Sequence, residues 1–296
     1  FVNGAYSPEL SSLQSLPAGV SVMSLTEAMA AKADVLEKHL GKHVPFQENP
    51  FVALNTAFVH QGALVHVPAG AVVEQPVHIL FLYTAEAQGM ASHPRVLIVT
   101  ERGSQATIVQ TYGALADATY FTNAVTEAVI GPGSAVRHYT LQRQSRQAYH
   151  IHNCHVVHLR DCNFSSVNID LGGGLVRNNL YAQMAEEGPS ALLNGLYMVT
   201  GTQHVDNQVI IDNQKGHTTA NELYKGVLDQ KAHSVFHGSI IVRPGAAKVN
   251  AQQEDKNLLL SKEAEADTKP AFWIYCDDVK CGHGAACGQL DENALY

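Results

Sequence analysis

The residues best equipped for chemistry lie near the C-terminus, in the stretch DTKPAFWIYCDDVKCGHGAACGQLDE (267–292). It holds three of the five cysteines, Cys276, Cys281 and Cys287, together with His283, Asp277, Asp278 and Lys280. In Cys281-Gly282-His283 a thiol and an imidazole stand at i and i+2. On an extended backbone these positions share a face, roughly 6.5–7 Å apart. A thiolate and a neutral imidazole so placed supply two ligands to a soft metal or cluster, with the others coming from another surface. Lys280 would favour the thiolate by charge, although on a regular strand it points to the other face. Gly282 and Gly284 remove bulk around the pair and admit a close partner. The plainer reading is a small buried cysteine beside a structural histidine. Cys276 and Cys287 read as core filler before auxiliary thiols.

Other constellations are weaker. HIHNCHVVH (150–158) is the densest histidine cluster, and on a strand His150, His152, Cys154 and His158 share one face, with His155 on the other. His150, His152 and Cys154 could serve a metal if a neighbouring strand supplied a further ligand. Asp277 and Asp278, with Asp161, Asp170 or Arg243, could be the acidic machinery of a carbohydrate-active enzyme, which needs carboxylates held at defined separations. Adjacent aspartates on a strand point to opposite faces, which makes the pair a poor dyad. LGGGLVRNN (171–179) is glycine-rich but opens no helix, so it lacks the setting of a phosphate loop.

These residues need a scaffold, and the chain reads as one made of strands. From Gly62 onward, segments rich in Val, Ile, Leu, Thr and Tyr alternate with small-residue turns. Examples are VHILFLYT (77–84), FTNAVTEAVI (121–130), HVDNQVIIDN (204–213) and HSVFHGSIIV (233–242). The turns PAGAVV (68–73), ERGSQAT (101–107), GPGSAVR (131–137), RDCNFSS (160–166) and EGPSALL (187–193) recur about every thirty residues, a period that points to a solenoid or propeller. A parallel β-helix fits, since each coil buries its inner face only by stacking on the next. A large sandwich is the alternative.

Ahead of the strands, Ser24 and Glu27 form a capping-box pair. Met29, Ala33, Leu36 and Leu40 make one apolar stripe stopped by Gly41. Phe51, Leu54 and Phe58 suggest a second helical face. The expected organisation is a lead-in and helical cap over 1–60 and a β-helix core over 61–296, with the cap covering one end of the core.

The totals exclude several classes. At 296 residues a single large core is feasible. A net charge of −8 and the lack of a Lys/Arg-rich tract argue against nucleic acid. No apolar run approaches the ~18 residues of a membrane span, and no signal peptide is visible. Five widely spaced cysteines fit a reducing, cytoplasmic setting.

Read in order, GLVRNN, LNGLY (193–197), HVDN (204–207), NELYKGVLD (221–229), VFHGSIIVRPGA (235–246), NLLLS (257–261), DTKP (267–270), IYCDDVKCGHGA (274–285) and GQLDE (288–292) resemble the motif series of the SufB/SufD family. The DDVKC-x-HGA form is closer to the SufD branch. The resemblance covers 150–296 well and the first half more loosely. It implies a right-handed parallel β-helix with flanking helical segments, pairing with SufB through the β-helices and with the SufC ATPase through a C-terminal helical region. It further implies a non-catalytic scaffold for a nascent Fe–S cluster, transient and shared with the partner, with no tightly bound cofactor in the isolated chain. Cys281 and His283 match the family's cysteine and histidine at that interface. The family commonly reads C-S-H-G-A-T-V-G, where this chain has Gly282, Ala286 and Cys287. The C-terminal helical region lies outside this sequence, so the chain alone is expected not to recruit the ATPase. Isolated, it is open to pairing as a homodimer.

Overall fold

A computed structural model describes residues 1–13, 16–59 and 61–289. From Gly62 on, successive strands alternate between two facing sheets. One sheet stacks Gly62–Val67, Arg95–Thr100, Phe121–Ile130, Tyr149–His158, Leu175–Met184, His204–Asn213, His233–Val242 and Glu265–Ile274. The facing sheet stacks Val77–Tyr83, Gln105–Ala114, Ala135–Arg143, Asn163–Asp170, Ser190–Val199, Thr219–Leu228, Val249–Leu259 and Val279–Gln289. All these pairings are parallel, and the chain winds through about eight coils of a β-helix. Strands read from the sequence at 121–130, 204–213 and 233–242 have these same bounds.

Period-2 alternation sends every second side chain into the lumen between the sheets. In register, Phe164 lies beside Ala191, which leads to Ala220, Ala251 and finally Cys281. The corners repeat as well. Gly103 and Gly133 take the left-handed conformation at equivalent turns, and Asp161 adopts it at φ 54° in the next coil. Aspartate tolerates that region better than most side chains. The corner amides form a ladder from coil to coil: Gly103 N donates to Pro132 O and Gly133 N to Arg160 O, both at 2.9 Å.

The lumen is only partly apolar. Aromatic rings fill its first coils, with Phe1 on Phe81 and Phe81 on Tyr112 at 4.9 and 5.0 Å. Further along, Asn178 Nδ2 donates to Asn207 Oδ1 at 2.9 Å and to Asp170 Oδ2 at 2.8 Å. A cavity of about 20 Å³ beside His138, His152 and Asn178 has room for a single water.

The N-terminal segment differs from its expected form in three ways. The capping box at Ser24 and Glu27 is present, but the helix breaks at Lys32 into Leu25–Ala31 and Ala33–His39. The break lets Leu36 reach the same apolar cluster as Leu25 and Ala28, against Leu64 and Leu97, while Met29 faces solvent. In the helix Pro50–Ala57 the buried residues are Val52 and Asn55, not the Phe51/Leu54/Phe58 face. Asn55 Nδ2 satisfies the carbonyls of Pro94 and Asn123, which explains a polar group on the inner side. Lastly, the helices cover the flank of the first sheet. Its edge is closed by the strand Ser21–Ser24, antiparallel to Gly62–Val67. A buried ion pair, Arg95–Glu127 at 2.7 Å, fastens this segment: Glu127 accepts from Gly41 N and His43 N, and Arg95 donates to Asn55 and Thr56.

Candidate functional site

The strand Val279–Gln289 is the last of its sheet among the described residues, and Glu265–Ile274 is the last of the other. Register fixes the direction of its side chains. Cys281 lies beside Ala251, His283 beside Gln253, Ala285 beside Asp255 and Cys287 beside Asn257. Ala251, Gln253, Asp255 and Asn257 all face the lumen and are buried. Cys281, His283 and Cys287 therefore share the inward side of the terminal strand, with no further coil described over them. Parity does not set Cys287 apart from the Cys281–His283 pair. Distance does: six residues of strand put Cys281 and Cys287 about 20 Å apart.

Cys281 is half-buried and packs against the end of the core. His283 is exposed, and its ring lies on that of Phe272, from the opposite sheet, with centroids 4.2 Å apart. Burial pushes the Cys281 thiol up from its ordinary value, and a backbone hydrogen bond at Ala251 works against the shift. Burial, then the nearby Asp255 carboxylate, raises Cys287 as well. Lys280 is exposed and is not among the groups acting on Cys281. The pair is thus no pre-ionised nucleophile. A bound metal ion would itself favour thiolate formation, with release of a proton.

The remaining residues of the stretch frame this coil. Asp277 and Asp278 form its corner, where Lys248 holds Asp278 at 2.7 Å and Lys248 N donates to the Asp278 carbonyl at 2.6 Å. Cys276 sits half-buried at the strand end against the core. A Cβ at Gly282 would lie 2.4 Å from Gln252 Oε1, so this glycine already makes room for a neighbour within the chain. Gly284 is open. Residues 290–292 of the GQLDE motif lie outside the described residues.

His150, His152, Cys154 and His158 do share one face, the one turned into the lumen, all 5% exposed or less. Burial lowers His150 to about 3 and His158 to about 4, and raises the Cys154 thiol to about 12. Among the described residues, no three His, Cys, Asp or Glu side chains gather into a group able to hold a metal. The carboxylates considered for sugar chemistry are dispersed. Asp161 is at a corner, Asp170 is inside the lumen, and Arg243 is engaged with Asp212 at 2.8 Å. Sequence reading passed over Phe272, Gln253, Glu222 and Asp255. Only the coil period links them to the site, since Gln253 and Glu222 are the successive register partners behind His283.

Comparison with known proteins bears on this geometry. Residues 81–296 match the SUF system FeS cluster assembly SufBD core domain, and residues 1–79 match the SufBD protein N-terminal region. A SufBD family iron–sulfur cluster assembly protein of Synechocystis sp. is 33% identical over 304 residues, spanning all of this chain and 67% of the relative. The iron–sulfur cluster assembly protein SufD of Escherichia coli is 27% identical, spanning all of this chain and 68% of its own length. SufB of Bacillus subtilis is 22% identical over 94% of the chain and 60% of its own length.

Proposed function

This chain belongs to the SufBD family of iron–sulfur cluster assembly proteins, and from that premise we propose that it is a non-catalytic scaffold subunit of the SufD type. The observation that carries the reading is Cys281 and His283 side by side on the inward face of the last described strand. In this reading the terminal coil meets a SufB-type partner, and the pair supplies part of the ligand shell for a nascent Fe–S cluster while the partner supplies the rest. The cluster is cargo, held transiently and passed on. Thiolate and imidazole are the donor types suited to iron in such a cluster. Cys281 loses its proton as sulfur becomes a ligand, and His283 binds through a neutral nitrogen. A SufC-type ATPase, acting through a part of the protein beyond this chain, would drive opening and closing of the interface. Such a complex belongs in the cytoplasm; no helix among the described residues is long and apolar enough to cross a membrane.

The test is reconstitution of the full-length protein with its partners. Cys281→Ala and His283→Ala are each expected to cut the rate of cluster assembly by about tenfold or more, equivalent to roughly 1.4 kcal/mol or more, with the complex still intact by size. Unchanged assembly in both variants would make the pair structural.

A further inference from the structure

His283 is exposed, yet its ring is held. Phe272 lies against it from the facing sheet, with centroids 4.2 Å apart and planes inclined by 30°. No other ring pair among the described residues comes so near; the next, Tyr83 on Tyr120, is at 4.5 Å. Phe272 also has a firm base. It ends an inward column, Ala182, Ile211 and Ile240 in register, all three 0% exposed, and it packs on the end of the core. The imidazole nitrogens are left alone: among the described residues His283 makes no hydrogen bond. Gln253, its register partner, is turned across the lumen, and its carboxamide fills the space over Gly238, where a Cβ would come within 1.9 Å of Nε2. A metal-binding histidine is ordinarily oriented through a hydrogen bond from its second ring nitrogen. Here the face of another ring takes that place.

We propose that Phe272 is a positioning residue for His283, an inference that rests on reading Cys281 and His283 as cluster ligands. The two donors need different supports. Cys281 is fixed by its packing on the end of the core. His283 stands between Gly282 and Gly284, with no side chain beside it along the strand, and free of Phe272 its ring would turn in solvent. An aromatic pair of this kind shifts such a rotamer equilibrium by about two- to tenfold. Phe272 thereby keeps the imidazole leaning over the mouth of the lumen, on the side it shares with Cys281, so a partner meets a donor pair already in place. Because the ring contact spends neither nitrogen, His283 takes up and releases iron without breaking a hydrogen bond to its own chain.

The experiment has two arms. In the first, the full-length protein carries ¹³C-labelled histidine, and His283→Ala assigns the His283 ring signal. That signal should be displaced by the Phe272 ring current, return to its solvent-exposed position in Phe272→Leu, and be displaced again in Phe272→Tyr. In the second arm, cluster assembly is measured in the complex with its partners. Phe272→Leu should slow it by about two- to tenfold with the complex intact by size, and Phe272→Tyr should restore it. In a His283→Ala background, Phe272→Leu should cost nothing further, whereas a merely structural phenylalanine would cost the same in both backgrounds. An undisplaced ring signal in the parent would overturn the inference. So would normal assembly in Phe272→Leu beside slowed assembly in His283→Ala, or an undiminished loss in the His283→Ala background. Normal assembly in His283→Ala would instead overturn the ligand reading, and this role with it, even where the ring signal is displaced.

Discussion

Two stretches of the chain set cysteine and histidine on the inward side of a strand: Tyr149–His158 in the middle of the solenoid and Val279–Gln289 at its end. The donors are alike and so is their parity. In the middle, each has a coil on either side, and Cys154 and His150 are 5% and 0% exposed. At the end, only one side is covered by a described strand; Cys281 is half-buried, while His283 and Cys287 are exposed. Position along the solenoid therefore decides whether an inward residue is buried core or open at the surface. The richer cluster, with three histidines and a cysteine on one face, is the less available one.

Thiol labelling of the native protein would break or sharpen this contrast most directly. Cys281 and Cys287 should react with a small alkylating agent in the folded state. Cys154 and Cys162 are buried, each thiol pushed up to about 12, and should react only through unfolding. Since opening a domain costs at least about 5 kcal/mol, the two classes should differ in rate by about a thousandfold or more. Mass spectrometry of the labelled peptides reads this out. Comparable rates at Cys154 and Cys281 would mean that the middle coils open as easily as the end.

Packing offers the next test. Phe236 is fully buried on an inward position and lies against Tyr224, with ring centroids 5.1 Å apart. Phe272 is inward too, but half-exposed beside His283. Phe236→Ala should cost about 3–5 kcal/mol, whereas Phe272→Ala should cost about 1 kcal/mol because less area leaves water on folding. Urea unfolding of the two variants measures both. Equal losses would show that the terminal coil is as well packed as the middle.

Much of this arrangement is legible in the sequence because it is local. Alternation in FTNAVTEAVI and HVDNQVIIDN gives strand bounds, and the corner motifs give the period. The i/i+2 rule places Cys281 with His283 before any coordinates. What is not legible depends on register between coils. Gly238 and Gln253 are fifteen positions apart, and nothing local shows that one leaves room for the other. The helical segment misled for a related reason. Met29 fits an ideal 3.6-residue stripe, but the break at Lys32 and the shape of the sheet flank decide which side is buried. Asn55 is buried because two carbonyls of another element need its amide, a demand invisible in its own helix.

The smallest effect concerns protons, and its sign follows from burial. The folded chain depresses His150 to about 3, whereas an unfolded histidine titrates near 6.5. The unfolded state then binds the extra proton first, so the stability owed to neutral His150 is complete above about pH 6.5 and declines as pH falls toward 3. At pH 5 the loss from this one residue is about 2 kcal/mol. His138 and His158, each lowered to about 4, add to the same slope. Asp170 opposes it: its carboxyl is raised to about 7, so its contribution is greatest at low pH and fades as pH rises through 7. Glu222 and Asp255, also raised by burial, act with Asp170, while His152 and His155 join the other side. Five histidines lowered by burial outweigh three carboxyls, and acidification from pH 7 to 5 should destabilise the fold. His150→Phe removes two buried nitrogens that have no hydrogen-bond partner, so it should be neutral or stabilising at pH 7.5. At pH 5 it should exceed the parent by about 2 kcal/mol more than at pH 7.5, read from urea midpoints at the two pH values. A variant that loses stability in parallel with the parent would place His150 in contact with solvent, and would erase the distinction between the middle of the solenoid and its end.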